Sequence, residues 1–493
     1  MPKKQKLEIL FTGAELKPLV KVGGLGDVMG SLPKALNRLG VTVKIIIPFY
    51  GMIDKKLYKA TLVKKNISIQ VEDFEDKFDL YKTSLPGSRI NVYLIKHKLF
   101  DGKQIYSGGR KYLKGNVYSR EIGDVERFVF FSKAVAETIQ AMKWVPDVIH
   151  CHDWHSALLP TFIDEYSLTH KNFKNIRTLF TIHNLANQGI TGLDIVDYAG
   201  LHNKLTPALM EDYYDKDGQV IDMMKVGILS ADFVNTVSPN YAKEILTKEY
   251  GEKLDKYLLR RQKHLFGIIN GISSKAFDPK TDKAIAKQYN AKNIQAGKVA
   301  NKLALQKELK LPIDEKIPVF GMVSRLVKQK GVDILAPALE KFLKKDVQVI
   351  ILGTGQAEYE QELKSLTHID PKKIKVKIMF DADLARRIYA GSDFFLMPSA
   401  FEPCGLGQMI SMRYGTIPLV RKTGGLKDTV IHNKTGVVFS DYTQAAMLKN
   451  LNQALNLYKN KTKFNKIRIS CLRQDFSWEK SAKEYLKLYN KLK

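Results

Sequence analysis

A short, nearly unbroken apolar run followed by a helical pattern recurs along this chain, and that succession most limits how it can fold. Residues 7–13 and 41–47 read as strands around a helical stretch, 26–39, in which Val28, Leu32, Leu36 and Leu39 share one face. Further strands are expected at 92–96, 148–151, 178–182, 233–237 and 265–269, with a helix over 239–250 capped by Ser238. Strands that do not alternate apolar with polar residues are buried on both faces, which calls for a parallel sheet covered by helices on each side. A polar, lysine-rich and strand-poor stretch, 273–318, interrupts the pattern. Alternation then resumes with strands at 319–323, 347–352, 374–380, 394–397 and 418–420, and helices at 332–343, 358–366, 384–390 and 406–413. The expectation is two doubly wound α/β domains, 1–272 and 273–476, with ligands at the carboxyl ends of the strands and in a cleft between the domains. A closing amphipathic helix, 477–493, turns Trp478, Tyr485, Leu488 and Leu492 inward and is expected to pack back on the first domain.

Composition removes several classes. The 493 residues are 44% hydrophobic and 26% charged, so the chain is neither disordered nor fibrous. No apolar run approaches the roughly 18 to 20 residues that cross a bilayer, and no membrane span is expected. The start of the chain, with only Leu7, Ile9, Leu10 and Phe11 behind its first lysines, lacks a signal-peptide core. Cys151, Cys404 and Cys471 are too widely spaced for a disulfide framework or a sulfur-rich zinc site, and a cytoplasmic, reducing location is expected. The net charge of +28, from 79 Lys+Arg against 51 Asp+Glu, is scattered rather than clustered. It therefore lacks the footprint of a nucleic-acid binder.

The motifs fall where strands end. Lys21-Val-Gly-Gly24-Leu-Gly-Asp27 lies between the first strand and its helix, where glycines let backbone N–H groups approach an anion. Its spacing is not GxGxxG, and no acid closes the second strand, which disfavours a dinucleotide. His150-Cys-His-Asp153-Trp154-His155 ends another strand; neighbours on a strand face opposite ways and cannot all ligate one metal, whereas polar groups beside an aromatic ring suit a sugar. His183 ends the next strand. In the second half, Arg325 and Lys330 are either surface charge or a clamp on a diphosphate. The loop Phe401-Glu402-Pro-Cys404-Gly405-Leu406 sets a carboxylate and open N–H groups at a helix start, and Lys422-Thr423-Gly424-Gly-Leu repeats the Gly-Gly-Leu theme. Asp381-Ala-Asp383 reads as a helix cap with a first-turn acid rather than a metal-holding pair.

Taken together and in order, these stretches, with Thr181 to Leu185, Asn235 to Pro239, Asn270 to Ile272, Ser324 to Gly331 and Pro398 to Leu406, resemble the bacterial glycogen synthase and plant starch synthase family over nearly the whole chain. The resemblance implies two Rossmann-like domains facing across a deep cleft, the GT-B type. It implies retaining transfer of glucose from ADP-glucose or UDP-glucose to the non-reducing end of an α-1,4-glucan, without a metal or other cofactor. On this resemblance Lys21, Gly24, Arg325 and Lys330 would hold the departing diphosphate, with Asp27 beside them. His183 and Asn270 would grip glucosyl hydroxyls. Glu402 and the backbone of Cys404, Gly405 and Leu406 would bind the sugar from the other domain, with Thr423 and Gly424 also on the donor side. Asp153 and Trp154 would face the acceptor, and Phe380 stands where the family stacks an aromatic ring, usually Tyr, on adenine. Two positions depart from the family: Ile410 replaces a second acid that many relatives carry, which speaks against a two-carboxylate mechanism, and Asn187 stands where Tyr is common. The alternative is a related transferase with a different donor or acceptor.

Overall fold

The computed structural model describes residues 6–71, 74–108, 112–113, 117–118, 123–201 and 220–493. It divides into two compact units, one of residues 1–237, 242–268 and 478–493, the other of 238–241 and 269–477. In the first unit nine of the described strands form one sheet in the order Leu265–Gly267, Phe233–Thr236, Arg177–Ile182, Val148–His152, Glu8–Thr12, Thr42–Pro48, Asn91–Lys96, Phe74–Ser84 and Thr61–Val71. The seven strands from Leu265–Gly267 to Asn91–Lys96 run parallel, because the apolar runs predicted from sequence are buried on both faces: Ile9, Leu10, Phe11, Ile45, Ile47, Ile149 and Leu179 are all fully enclosed.

The last two strands were not expected from sequence. Phe74–Ser84 and Thr61–Val71 pair antiparallel at the sheet's edge, and Thr61–Val71 exposes most of its residues, including Lys64 and Lys65. Edge lysines discourage pairing with another chain, and they also erase the alternation that would announce a strand. The helix Asp124–Ala141 was missed for the opposite reason: fifteen of its residues are buried, so it carries no polar face to set a helical period. The C-terminal helix Trp478–Leu492 belongs to the first unit, where it packs beside Gly24–Arg38 and buries Trp478, Tyr485, Leu488, Tyr489 and Leu492.

The second unit holds a six-stranded, wholly parallel sheet in the order Ile374–Ile378, Gln348–Gly353, Val319–Val323, Phe394–Met397, Ile417–Arg421 and Val437–Phe439. In chain order this is 3-2-1-4-5-6, so the winding reverses between Val319–Val323 and Phe394–Met397. The lysine-rich stretch before it contains a helix, Ile294–Glu308, hidden from sequence reasoning because two of its lysines face inward. Lys298 Nζ donates to the carbonyls of Tyr389 and Ser392, and Lys302 Nζ lies 2.6 Å from Asp393 Oδ2. The helix read over 239–250 is shorter, Pro239–Glu244, and the strand read over 374–380 ends at Ile378. No described helix is long and apolar enough to cross a membrane.

Candidate active site

In the first unit the winding reverses between Glu8–Thr12 and Val148–His152. The loops leaving these two strands carry Lys21, Gly24 and Asp27 on one side and Asp153 and Trp154 on the other, the position where a doubly wound sheet binds its ligand. The Gly-rich loop is held from beneath by Glu15, a buried acid not singled out in the sequence. Its Oε2 accepts the N–H groups of Val22 and Gly23, each at 2.8 Å, and its Oε1 accepts the Tyr106 hydroxyl at 2.9 Å. Two of the loop's donors are thus already used, whereas the helix start at Gly24, where Gly23 supplies no side-chain cap, keeps its N–H groups open to an anion. Lys21 is exposed but not free: its Nζ donates to Asp27 Oδ2 at 2.5 Å, and Lys17 reaches the other Asp27 oxygen at 3.1 Å. Gly26 belongs to the same construction, since a Cβ there would come within 3.0 Å of the Lys21 side chain and 3.1 Å of Glu15.

Asp153 is the most constrained residue of this half. Its backbone sits at φ 55°, ψ −179°, a region that residues other than glycine rarely occupy and that costs about 1–3 kcal/mol. Local bonds hold it there: its N–H donates to Thr181 O at 2.9 Å, and its carboxylate accepts the N–H groups of His183, at 2.7 Å, and Asn184. Burial outweighs those two donors and lifts its pKa to about 7. Trp154 follows on a turn of 3₁₀ helix, Trp154–Ser156, with its ring over Gly189, where a Cβ would lie 2.5 Å away, and edge-on to Phe128 at 5.3 Å. His183, at the end of Arg177–Ile182, meets His152 through a 3.0 Å contact between its Nε2 and His152 Nδ1, and burial lowers its pKa to about 3.

In the second unit the loops after Val319–Val323 and Phe394–Met397 come together at the reversal point. Lys330 Nζ donates to Glu402 Oε2 at 2.6 Å, and the Ser399 hydroxyl donates to the same oxygen at 3.0 Å. Arg325 is exposed, donates at 3.3 Å to Gln329, and has no carboxylate partner among the described residues. The loops approach so closely that glycine is required where they meet. At Gly331, with φ +76°, a Cβ would fall 2.1 Å from Pro398 O, and at Gly424, with φ +42°, one would fall 1.9 Å from Glu402 O. Gly425 N–H donates to Glu402 O at 3.0 Å, and Thr423, fully buried, immediately precedes the short helix Gly424–Thr429.

Asn270 lies against the same loop: its N–H is directed at Cys404 sulfur, and its buried Oδ1 has no donor among the described residues. Burial pushes the Cys404 thiol up to about 12, so it is no nucleophile at neutral pH. Gly405, with φ +72°, and Leu406 lead into the helix Gly407–Arg413, on which Ile410 is buried. Phe380 is 91% exposed, just beyond the strand Ile374–Ile378 and two strands from the reversal point. Asp381 Oδ1 accepts the N–H groups of Asp383 and Leu384 and so serves as a helix cap.

Sequence reasoning passed over Glu15, Ser399 and His152. Glu15 left one signal, the lone carboxylate in a loop whose other charges are Lys17 and Lys21; Ser399 left none. His152 was visible only as one of three neighbouring histidines.

Residues 8–260 match a family model described as the starch synthase catalytic domain, and residues 306–468 match the model for group 1 glycosyl transferases. The chain is 41% identical to the glycogen synthase of Thermosipho melanesiensis, the alignment covering 98% of this chain and 99% of that one. It is 39% identical to the glycogen synthase of Thermotoga maritima, again over 98% and 99%. Among solved structures, the catalytic domain of starch synthase IV from Arabidopsis thaliana, bound to ADP and acarbose, superposes with a TM-score of 0.86 at 33% identity and 99% coverage of both chains. With matches of this extent on both units, the chain belongs to the glycogen and starch synthase family, glycosyltransferases of the GT-B fold.

Proposed function

We propose that this protein takes glucose from ADP-glucose and adds it, with retention, to the non-reducing end of an α-1,4-glucan. The observation that carries the reading is the convergence at the second unit's reversal point: Lys330 pinned to Glu402 at 2.6 Å, with Arg325 beside it free of any described carboxylate. A leaving diphosphate gains negative charge as the glycosyl bond breaks. Cations fixed at that oxygen therefore bind the transition state better than the ground state. The solved relative's ADP and acarbose support the same donor and acceptor classes.

In this reading Arg325 and Lys330 serve the diphosphate, Asn270, Glu402 and the Cys404 to Leu406 backbone the glucosyl group, Thr423 and Gly424 the donor, and Phe380 the base. On the family resemblance Lys21, Gly24 and Asp27 would serve the phosphate, His183 the sugar, and Asp153 and Trp154 the acceptor. The bond from C1 to the phosphate oxygen breaks, and the acceptor 4-hydroxyl oxygen bonds to C1 from the same face. The hydroxyl proton passes to the departing phosphate oxygen, so ADP leaves and no carboxylate is consumed as a nucleophile. Ile410, where the family resemblance expects an acid in many members, agrees with this front-face course, because the double-displacement route needs two carboxyl groups about 5 Å apart. The basic groups take the place of a divalent metal on the diphosphate.

The test supplies ADP-glucose and UDP-glucose in parallel to a maltooligosaccharide acceptor, with EDTA present, and reads the new linkage by proton NMR. Faster elongation from ADP-glucose with an α-anomeric signal is expected. A preference for UDP-glucose overturns the donor, a β signal overturns retention, and dependence on added Mg²⁺ overturns the metal-free clamp.

A further inference from the structure

His183 is assigned to the sugar in the reading above, but only one of its two ring nitrogens is available for that purpose. Nε2 faces His152 Nδ1 at 3.0 Å, while Nδ1 has no partner among the described residues. Burial drives both rings well below the usual histidine range, and each ring's charge would disfavour the other's, so the pair is neutral and shares one hydrogen across the contact. Either His152 donates to His183 or the reverse.

The surroundings of His152 decide between these arrangements. Its Nε2 is buried without any hydrogen-bond partner among the described residues. If His183 donated, a neutral His152 would have to carry its proton on that Nε2, as a buried N–H with no acceptor. If His152 donates from Nδ1, the orphan is only a lone pair, and a buried N–H without a partner is the rarer and costlier of the two. Nor can the nearest ring relieve it. His150 lies 4.0 Å from His152 between centroids, but its own nitrogens are engaged by the Tyr489 hydroxyl and the Thr181 hydroxyl, each at 2.7 Å. On the other face Phe11 stacks on the His152 ring at 5.4 Å and offers no acceptor.

We propose that His152 is a positioning residue that fixes His183 as its Nδ1–H tautomer, so that His183 presents a permanent hydrogen-bond donor to a sugar oxygen. That His183 meets a sugar rests on the proposed function; that its proton sits on Nδ1 does not. A free imidazole exchanges tautomers and can accept or donate. The fixed one requires the hydroxyl opposite it to accept, and so distinguishes an oxygen held in that orientation from a group that can only donate.

The experiment is long-range proton–nitrogen NMR of the full chain labelled with ¹⁵N-histidine, the His183 signals being assigned by their loss in His183→Asn. In the wild-type protein at neutral pH the pattern expected for His183 is a protonated Nδ1 and an unprotonated Nε2. A protonated Nε2 overturns the proposal, and because this reading needs no change at His152 it stands even if the companion variant fails to fold. In His152→Phe, which keeps an aromatic ring against Phe11, His183 is expected to shift toward the Nε2–H form. An unchanged tautomer in a folded His152→Phe protein shows that His152 does not set it, and equally overturns the proposal. The Nδ1–H pattern in a protein that transfers no glucose would leave the tautomer standing and remove the substrate reading instead.

Discussion

Lys330 and Glu402 form the ion pair at the centre of the proposed function, and neither charge is fully exposed, the side chains being 17% and 7% accessible. With Lys330 on the departing phosphate as proposed, Lys330→Ala should lower kcat about 10²–10³-fold, the usual cost of one preorganised charge-stabilising donor. Steady-state kinetics of the variant, with circular dichroism to confirm its fold, provide the check; a loss confined to KM contradicts the assignment. Titration offers a second prediction at this scale. His150, His152, His155 and His183 all hold pKa values below the ordinary histidine value of 6.5, so the unfolded chain takes up protons first. The stability they confer is complete above about 6.5 and is lost as pH falls below it, for His155 and His183 through about 3. Asp153 acts in the opposite sense: its pKa is raised from 3.8 to about 7, so its contribution is complete at low pH and is lost as pH rises through about 7. The two effects oppose each other over the same window, about pH 4 to 7, so Asp153→Asn, which cannot ionise, should steepen the fall in melting temperature on acidification from about pH 7 to 4. An unchanged acid slope in that variant would place the titration elsewhere.

At the scale of elements, the glycines decide how closely two loops can meet. Gly331→Ala combines a left-handed backbone with a Cβ 2.1 Å from Pro398 O, so the loop carrying Lys330 must move. A loss of stability greater than about 1 kcal/mol is expected, accompanied by reduced activity, and both are read from denaturant unfolding and kinetics of the same sample. The C-terminal helix makes a parallel case. Tyr489→Phe strips His150 Nδ1 of its partner in the interior and should cost about 1–3 kcal/mol, measured by the same unfolding experiment.

Elements also show what could be read in the sequence. Buried strands such as Thr42–Pro48 and Gln348–Gly353 were legible because their apolar runs have no other explanation, and strand ends therefore pointed to Asp153, His183, Arg325 and Glu402. Thr61–Val71 and Ile294–Glu308 were not legible. A lysine on an edge strand, a lysine buried against carbonyls and a lysine in solvent are the same letter, and only the fold tells them apart. Glu15 and His152 were missed for a related reason: their partners are Val22, Gly23, Tyr106 and His183, and for Glu15–Tyr106 and His152–His183 the chain separation is 91 and 31 residues.

For the whole molecule, the net charge of +28 acquires a use once the donor is an anion. A strongly basic protein raises the local concentration of a nucleotide sugar, and salt screens that attraction with a Debye length of about 10 Å at 0.1 M. Added salt should lower kcat/KM for the nucleotide sugar while leaving kcat at saturation nearly unchanged; a kcat that falls in parallel would contradict steering. The most direct trial of the central claim is incorporation of radiolabelled glucose from ADP-glucose into glycogen, without added metal, by the wild-type protein and by Glu402→Ala. The account predicts label in glycogen from the wild-type protein and almost none from the variant. Hydrolysis of the donor, or transfer to an acceptor other than glucan with no label in glycogen, would contradict it.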